Sequence, residues 1–225
     1  MTTSRSEAAR SSRQPLSLVP DRDCPLCPRL VAFREANRAR EPLWHNAPVA
    51  PFGDIKARLL IVGLAPGLRG ANRSGRPFTG DYAGDLLYRT LIAFGLARGR
   101  YEARPDDGLE LVGTAITNAV RCVPPQNKPL PVEINTCRQF LSATIAGFPN
   151  LRGIVTLGAI AHQSTVKALG GRLAATPFKH GAQYEIGGVT LSPSYHCSRY
   201  NTNTRRLTPA MFKSVFASVR DYLAG

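Results

Sequence analysis

The sequence repeatedly passes from a short apolar run into a loop and then into a helical pattern, and few folds accommodate that rhythm. ARLLIVG at 57–63, GTAITNAV at 113–120 and RGIVTLG at 152–158 suit buried strands. Apolar spacing predicts helices over 28–40, 83–97, 131–147 and 159–169, and a last one from Thr208, a good N-cap residue, to Tyr222. Residues 183–193 read as paired strands broken at Gly187-Gly188. Strand–loop–helix alternation predicts an α/β fold: a single domain with a mostly parallel central sheet flanked by helices. At 225 residues the chain suffices for one such domain and is short for two. Residues 1–20, rich in Ser, Arg and Ala and without periodicity, are expected to form a disordered basic arm, leaving 21–225 as the folded domain.

In an open parallel sheet, the loops at the carboxyl ends of the strands converge on the ligand crevice. Three loops would meet there: Gly63 to Asp81, Thr117 to Lys128, and Ser192 to Arg206. Residues 64–80 hold Arg69, Arg73 and Arg76; residues 118–132 hold Arg121 and Lys128; residues 190–208 hold Arg199, Arg205 and Arg206. None of these stretches contains an acid. The whole chain has 29 Lys and Arg against 15 Asp and Glu, a net charge of +14. A polyanion is the expected partner, nucleic acid first, although some basic proteins are merely soluble and basic.

Asp81 is the first acid to break the basic pattern. A carboxylate among phosphate-binding arginines weakens binding, so chemistry is expected of it. Capping the helix that begins at Ala83 is the simpler role, and the two are compatible. His196, in a basic Ser/Asn/Thr loop, is the other candidate for chemistry, although a lone His is often structural. The Gly63 loop lacks the G-K-[ST] ending that holds a triphosphate. No apolar run approaches the ~20 residues of a membrane span, and the amino-terminal stretch lacks the apolar core of a secretory signal. A cytoplasmic location is expected.

The five cysteines are Cys24, Cys27, Cys122, Cys137 and Cys197. An odd count without a secretion signal argues against a disulfide framework. Cys24 and Cys27 form a C-x-x-C pair, and fourteen residues separate Cys122 from Cys137. Two thiolates on a tight turn joined by two from elsewhere can enclose zinc or an iron–sulfur cluster, and the spacing leaves both open. The alternatives are coincidental core cysteines or a redox pair, the latter without the βαβ surroundings it needs. Cys197 beside His196 does not read as a nucleophile pair, because neighbours in extended chain point to opposite faces.

Taken together, GLAPGLRGANRSGRPFTGD (63–81), TNAVRCVPPQNKP (117–129), YHCSRYNTNT (195–204) and the cysteine frame resemble one family. It is the uracil-DNA glycosylase superfamily in its iron–sulfur branches, with family 5 matching best. The resemblance covers about residues 21–215. It implies a base-excision repair enzyme that cleaves the N-glycosidic bond of uracil, and of other deaminated or modified bases, in DNA. It also implies a [4Fe-4S] cluster on Cys24, Cys27, Cys122 and Cys137. Leu64 stands where family 4 has an acid, as family 5 expects. Arg205 stands where a glycine is expected, which unsettles the local loop geometry.

The resemblance also implies roles. A base inside a duplex must be flipped out to be reached. Gly63 and Ala65 would line the base pocket, Phe78 would stack on the flipped base, and Asn118 would pair with the O4 and N3–H edge of uracil. His196 would stabilise charge on O2 of the leaving base, and Asp81 would hold or activate water or stabilise the sugar cation. Arg69, Arg73, Arg199, Asn201 and Arg205 would grip phosphates, while Tyr200 and Leu207 are both candidates for a wedge into the duplex. Lys128 is the only lysine in the three motifs, so a Schiff-base lyase is not expected and the enzyme would be monofunctional. Nothing demands more than a monomer. Two competing readings are a nucleic-acid-binding module with a structural four-cysteine metal site, and a hydrolase of free nucleosides. The last has no phosphates to grip and would resist salt.

Overall fold

The computed structural model describes residues 19–224, so the expected arm at 1–20 falls almost wholly outside the described residues. Along the chain run α1 (Pro28–Arg40), β1 (Phe52–Gly53), β2 (Leu59–Gly63), α2 (Ala71–Ser74), α3 (Tyr82–Ala93), β3 (Ala97–Arg98), β4 (Glu110–Leu111) and β5 (Thr114–Asn118). There follow α4 (Pro131–Ala146), β6 (Gly153–Leu157), α5 (Ala159–Ala168), β7 (Tyr184–Ile186), β8 (Val189–Ser194), α6 (Arg199–Asn203) and α7 (Pro209–Ala224). The expected helices and strands are present with small shifts at their ends. The largest shift is in α3, which stops before residue 97. There Gly95, at φ +70°, turns the chain in a left-handed step, and the Leu96 amide bonds back to the Leu91 carbonyl at 2.8 Å.

Six strands form the main sheet in the order β1-β5-β2-β6-β8-β7. The central four are parallel, and the two edge strands run antiparallel to their neighbours. Every residue of β2, β5 and β6 is buried, which is why β2 and β6 read as largely apolar runs and the polar residues of β5 are Thr and Asn without charge. The two faces separate by alternation. Leu59 and Ile61 point to a core shared with α3 and α7, including Leu87, Leu91, Phe212 and Phe216. Leu60 and Val62 point to the other core, with Leu141 of α4 and Val166 of α5. Deleting a ring such as Phe212, fully buried in the first core, costs about 3–5 kcal/mol.

This topology places the crevice. From β2 the chain crosses to β5 on one side and then to β6 on the other, so the strand order reverses around β2. Ligand sites of open α/β sheets lie at such a reversal, beyond the strands' carboxyl ends. Gly63 ends β2 directly opposite Asn118, which ends β5. Ser194 ends β8 two residues before His196.

Candidate active site

A cavity of about 640 Å³ opens at these strand ends. Leu64, Ala65, Arg69, Phe78, Asp81, Asn118, His196 and Arg199 all line it. Three loops far apart in sequence therefore meet at one cavity, as expected.

Gly63 lies beneath the cavity wall. A Cβ there would come within 2.5 Å of Asn118 Oδ1 and 2.6 Å of Phe78 Cζ, so glycine lets the amide and the ring close over β2. Phe78 holds a left-handed backbone at φ +54° and is only 7% exposed. Such a conformation is strained for an aromatic residue and persists where the surroundings enforce it. Here the Tyr101 hydroxyl donates to the Phe78 carbonyl at 3.1 Å, and a Cβ at Gly84 would lie 1.8 Å from that same oxygen. The ring remains at the cavity, with its centroid 6.0 Å from that of His196.

Asp81 is the N-cap of α3: Oδ1 accepts from the Gly84 amide at 3.2 Å. Its Oδ2 faces Gly67 and Gly70, where Cβ atoms would sit 3.1 and 2.5 Å from it. The capping role thus holds while the carboxylate still lines the cavity. Burial raises its pKa above the usual carboxylate value, with the backbone amides of Gly84 and Ala83 pulling the other way.

His196 is pushed down to about 4 by burial, so at neutral pH its imidazole is neutral. Its carbonyl accepts from Asn201 Nδ2 at 2.8 Å. The next side chain, Cys197, is fully buried, with Sγ 3.4 Å from the Ala83 carbonyl. His196 thus lines the cavity while the Cys197 thiol is buried against the start of α3.

The positive charges divide. Arg69, Arg73, Arg199, Arg205 and Arg206 are exposed. Arg199 lies over the ring of Tyr82 at 5.1 Å. Arg76, by contrast, is 5% exposed and makes a bidentate pair with Asp107, at 2.8 and 2.7 Å. Arg121 is fully buried, bonded to Thr117 and Thr144. These two belong to the interior and contact no external phosphate. The Asn201 amide bonds the His196 carbonyl, tying the two ends of this loop together. Arg205 takes φ +57°, the conformation for which a glycine would be suited, so the loop keeps its turn despite the substituted residue. Of the two wedge candidates, Leu207 is fully buried and Tyr200 is 72% exposed. Asn127 and Ser198 also line the cavity and were not anticipated. Gln126 and Asn127 both have φ +56°, and consecutive left-handed residues after Pro124-Pro125 turn the loop back toward the site.

The four cysteines of the frame share a second, small cavity with Leu30, Val120 and Phe140. Cys27 leads directly into α1, Cys137 sits on α4, and Arg29 of α1 grips Glu133 of α4 with two bonds of 2.8 Å. Ala65, on the wall of the large cavity, packs against this same cluster. Among the described residues no three His, Cys, Asp or Glu side chains converge as the ligands of one metal ion do. One buried guanidinium and one backbone amide face the sulfurs. Arg34 Nη1 is 4.0 Å from Cys122 Sγ, and the backbone amide of Arg121 donates to Cys137 Sγ at 3.4 Å. Nε of both arginines is buried without a partner. Burial and mutual repulsion push Cys27 up to about 11 and Cys122 up to about 12, so anionic sulfurs there need a cation among them. Donor hydrogens and buried positive charge around four thiols suit an anionic metal–sulfur cluster.

Comparison with known proteins agrees with this geometry. Residues 50–220 match the family model described as the uracil DNA glycosylase superfamily. The chain is 47% identical over 204 residues to the type-5 uracil-DNA glycosylase of Thermus thermophilus, covering 88% of this chain and 92% of the relative. It is 40% identical over 190 residues to the type-5 uracil-DNA glycosylase of Pyrobaculum aerophilum, covering 83% of each. It is 42% identical over 212 residues to that of Mycobacterium tuberculosis, covering 90% of this chain and 78% of the relative.

Proposed function

The chain belongs to the uracil-DNA glycosylase superfamily, and we propose that it excises uracil from DNA by hydrolysing the N-glycosidic bond, leaving an abasic site. The observation that carries this reading is the single cavity shared by Phe78, Asn118, Asp81 and His196, with Arg69 and Arg199 beside them. A flipped uracil stacks on Phe78 and pairs through its O4 and N3–H edge with the Asn118 amide. As the C1′–N1 bond breaks, its electron pair moves into the uracil ring and charge gathers on O2. The neutral His196 imidazole donates a hydrogen bond to that oxygen. Asp81 stabilises the oxocarbenium-like sugar and takes the proton of the water whose oxygen bonds to C1′.

Cys24, Cys27, Cys122 and Cys137 would hold a [4Fe-4S] cluster, which when bound supplies a cross-link between the segment before α1, the loop after β5, and α4. Arg34 and Arg121 offset its negative charge. The exposed arginines favour DNA over a free nucleoside, because they need phosphates to bind. We place the enzyme in the cytoplasm, acting on the nucleoid as a monomer, with other deaminated or modified bases within its range. Among the described residues no helix is long and apolar enough to cross a membrane.

The test is a labelled duplex with one uracil. Free uracil should appear, strands should break only after alkali, and activity should fall steeply with salt. A covalent DNA adduct trapped by borohydride would replace the monofunctional mechanism with a lyase. Activity on free deoxyuridine with no response to salt would replace the DNA substrate.

A further inference from the structure

We propose that His180 and Arg206 are positioning residues that hold the His196 imidazole in place by gripping Tyr195, and that Arg206 thereby ties contact with a DNA phosphate to the catalytic loop. The proposal rests on the reading of His196 as the catalytic donor.

Beyond β8 the chain leaves the sheet, so no strand ladder sets the direction of residues 195–198. Tyr195 is instead held by side chains. Its amide donates to His180 Nδ1 at 3.1 Å. The two rings lie parallel within 1°, with centroids 5.0 Å apart. The guanidinium carbon of Arg206 is 4.9 Å from the centroid of the same Tyr195 ring. Because the Tyr195 amide is the donor, His180 Nδ1 must be unprotonated and act as the acceptor. The His180 segment is itself anchored to the sheet, since the Gly181 amide donates to the Pro193 carbonyl at 2.9 Å.

One residue further on, the side chain of His196 lines the active cavity. A shift of Tyr195 therefore moves His196, and misplacing a catalytic group by about 1 Å can cost about 10²-fold in rate. Arg206 is exposed, and among the described residues it forms no ion pair. Its charge is thus open to a backbone phosphate while its guanidinium stacks on Tyr195. Backbone contact and imidazole placement share one stack of side chains.

The experiment measures kcat and KM on a uracil-containing duplex for His180→Ala, His180→Asn, His180→Gln, Arg206→Ala and His196→Ala. Asn places its Oδ1 where Nδ1 accepts, whereas the Gln acceptor reaches further out. We expect His180→Ala to lose about tenfold in kcat with KM little changed, and His180→Asn to recover most of that loss. Arg206→Ala should lower kcat and raise KM together. Should His180→Ala fold poorly, Asn against Gln gives the same answer: Asn keeps kcat and Gln loses it. Wild-type kcat in His180→Ala, or equal kcat in Asn and Gln, overturns the proposal while an impaired His196→Ala leaves the underlying reading intact. A fully active His196→Ala overturns both.

Discussion

The large cavity and the cysteine pocket lie on either side of one short stretch of wall, yet they are built on opposite principles. In the cavity, glycines and strained backbone let Phe78, Asn118 and His196 line the wall of a space large enough for a ligand. In the cysteine pocket, apolar side chains, two buried arginines and an ion pair between α1 and α4 close around four sulfurs. The first arrangement suits a substrate that comes and goes. The second suits a resident group whose removal would open the packing. Ala65 touches both, on the wall of the first and packed against the second.

The sharpest way to separate the two is Asp81→Asn. It keeps a cap acceptor for the Gly84 amide but loses the charge, and kcat should fall by about 10²–10⁴-fold. Thermal stability and iron content should stay near wild type, and a parallel loss of iron would merge the two regions. Cys24→Ala probes the other side. It should strip iron and leave a poorly folded chain, as structural metal sites contribute folding energy directly. A soluble, fully active, iron-free variant would break the account of the pocket.

Gly63→Ala should have a smaller effect, because its new methyl meets Asn118 Oδ1 and Phe78 Cζ at 2.5 and 2.6 Å. Overpacking of this kind costs about 1–3 kcal/mol, read as a lower Tm, and activity should fall as the ring and amide move. The mildest probe is pH. Since burial raises Asp81, kcat should be lost as pH falls through a value above the usual carboxylate range. Since His196 is lowered to about 4, the profile should stay flat where an ordinary histidine titrates, near about 6.5. A loss of activity on raising pH through that range would mean that an imidazolium does the work.

Much of this was legible in the residues because burial on both faces leaves a plain signature. The strands β2 and β6 are largely apolar runs for that reason, and each of the three loops follows a strand of the parallel core. Asp81 stood out as an acid ending a basic loop, His196 as the histidine of a basic Ser/Asn/Thr loop, and both line the cavity. Charge was less legible. Arg76 and Arg121 read as members of the basic loops, but each finds internal partners that lie elsewhere in the chain, Asp107 for one and Thr144 for the other. The short helices α2 and α6 also escaped notice, since four or five residues carry too little periodicity to register. Asn127 reads as ordinary loop filler after two prolines. Only the paired left-handed conformations of Gln126 and Asn127 bring it to the cavity wall.

The most direct measurement is single-turnover cleavage of a uracil-containing duplex by His196→Ala and wild type, with iron quantified in the same preparations. The variant should cleave about 10²–10³-fold more slowly at unchanged iron content. A variant that cleaves as fast as wild type would contradict the reading of His196 as the catalytic donor.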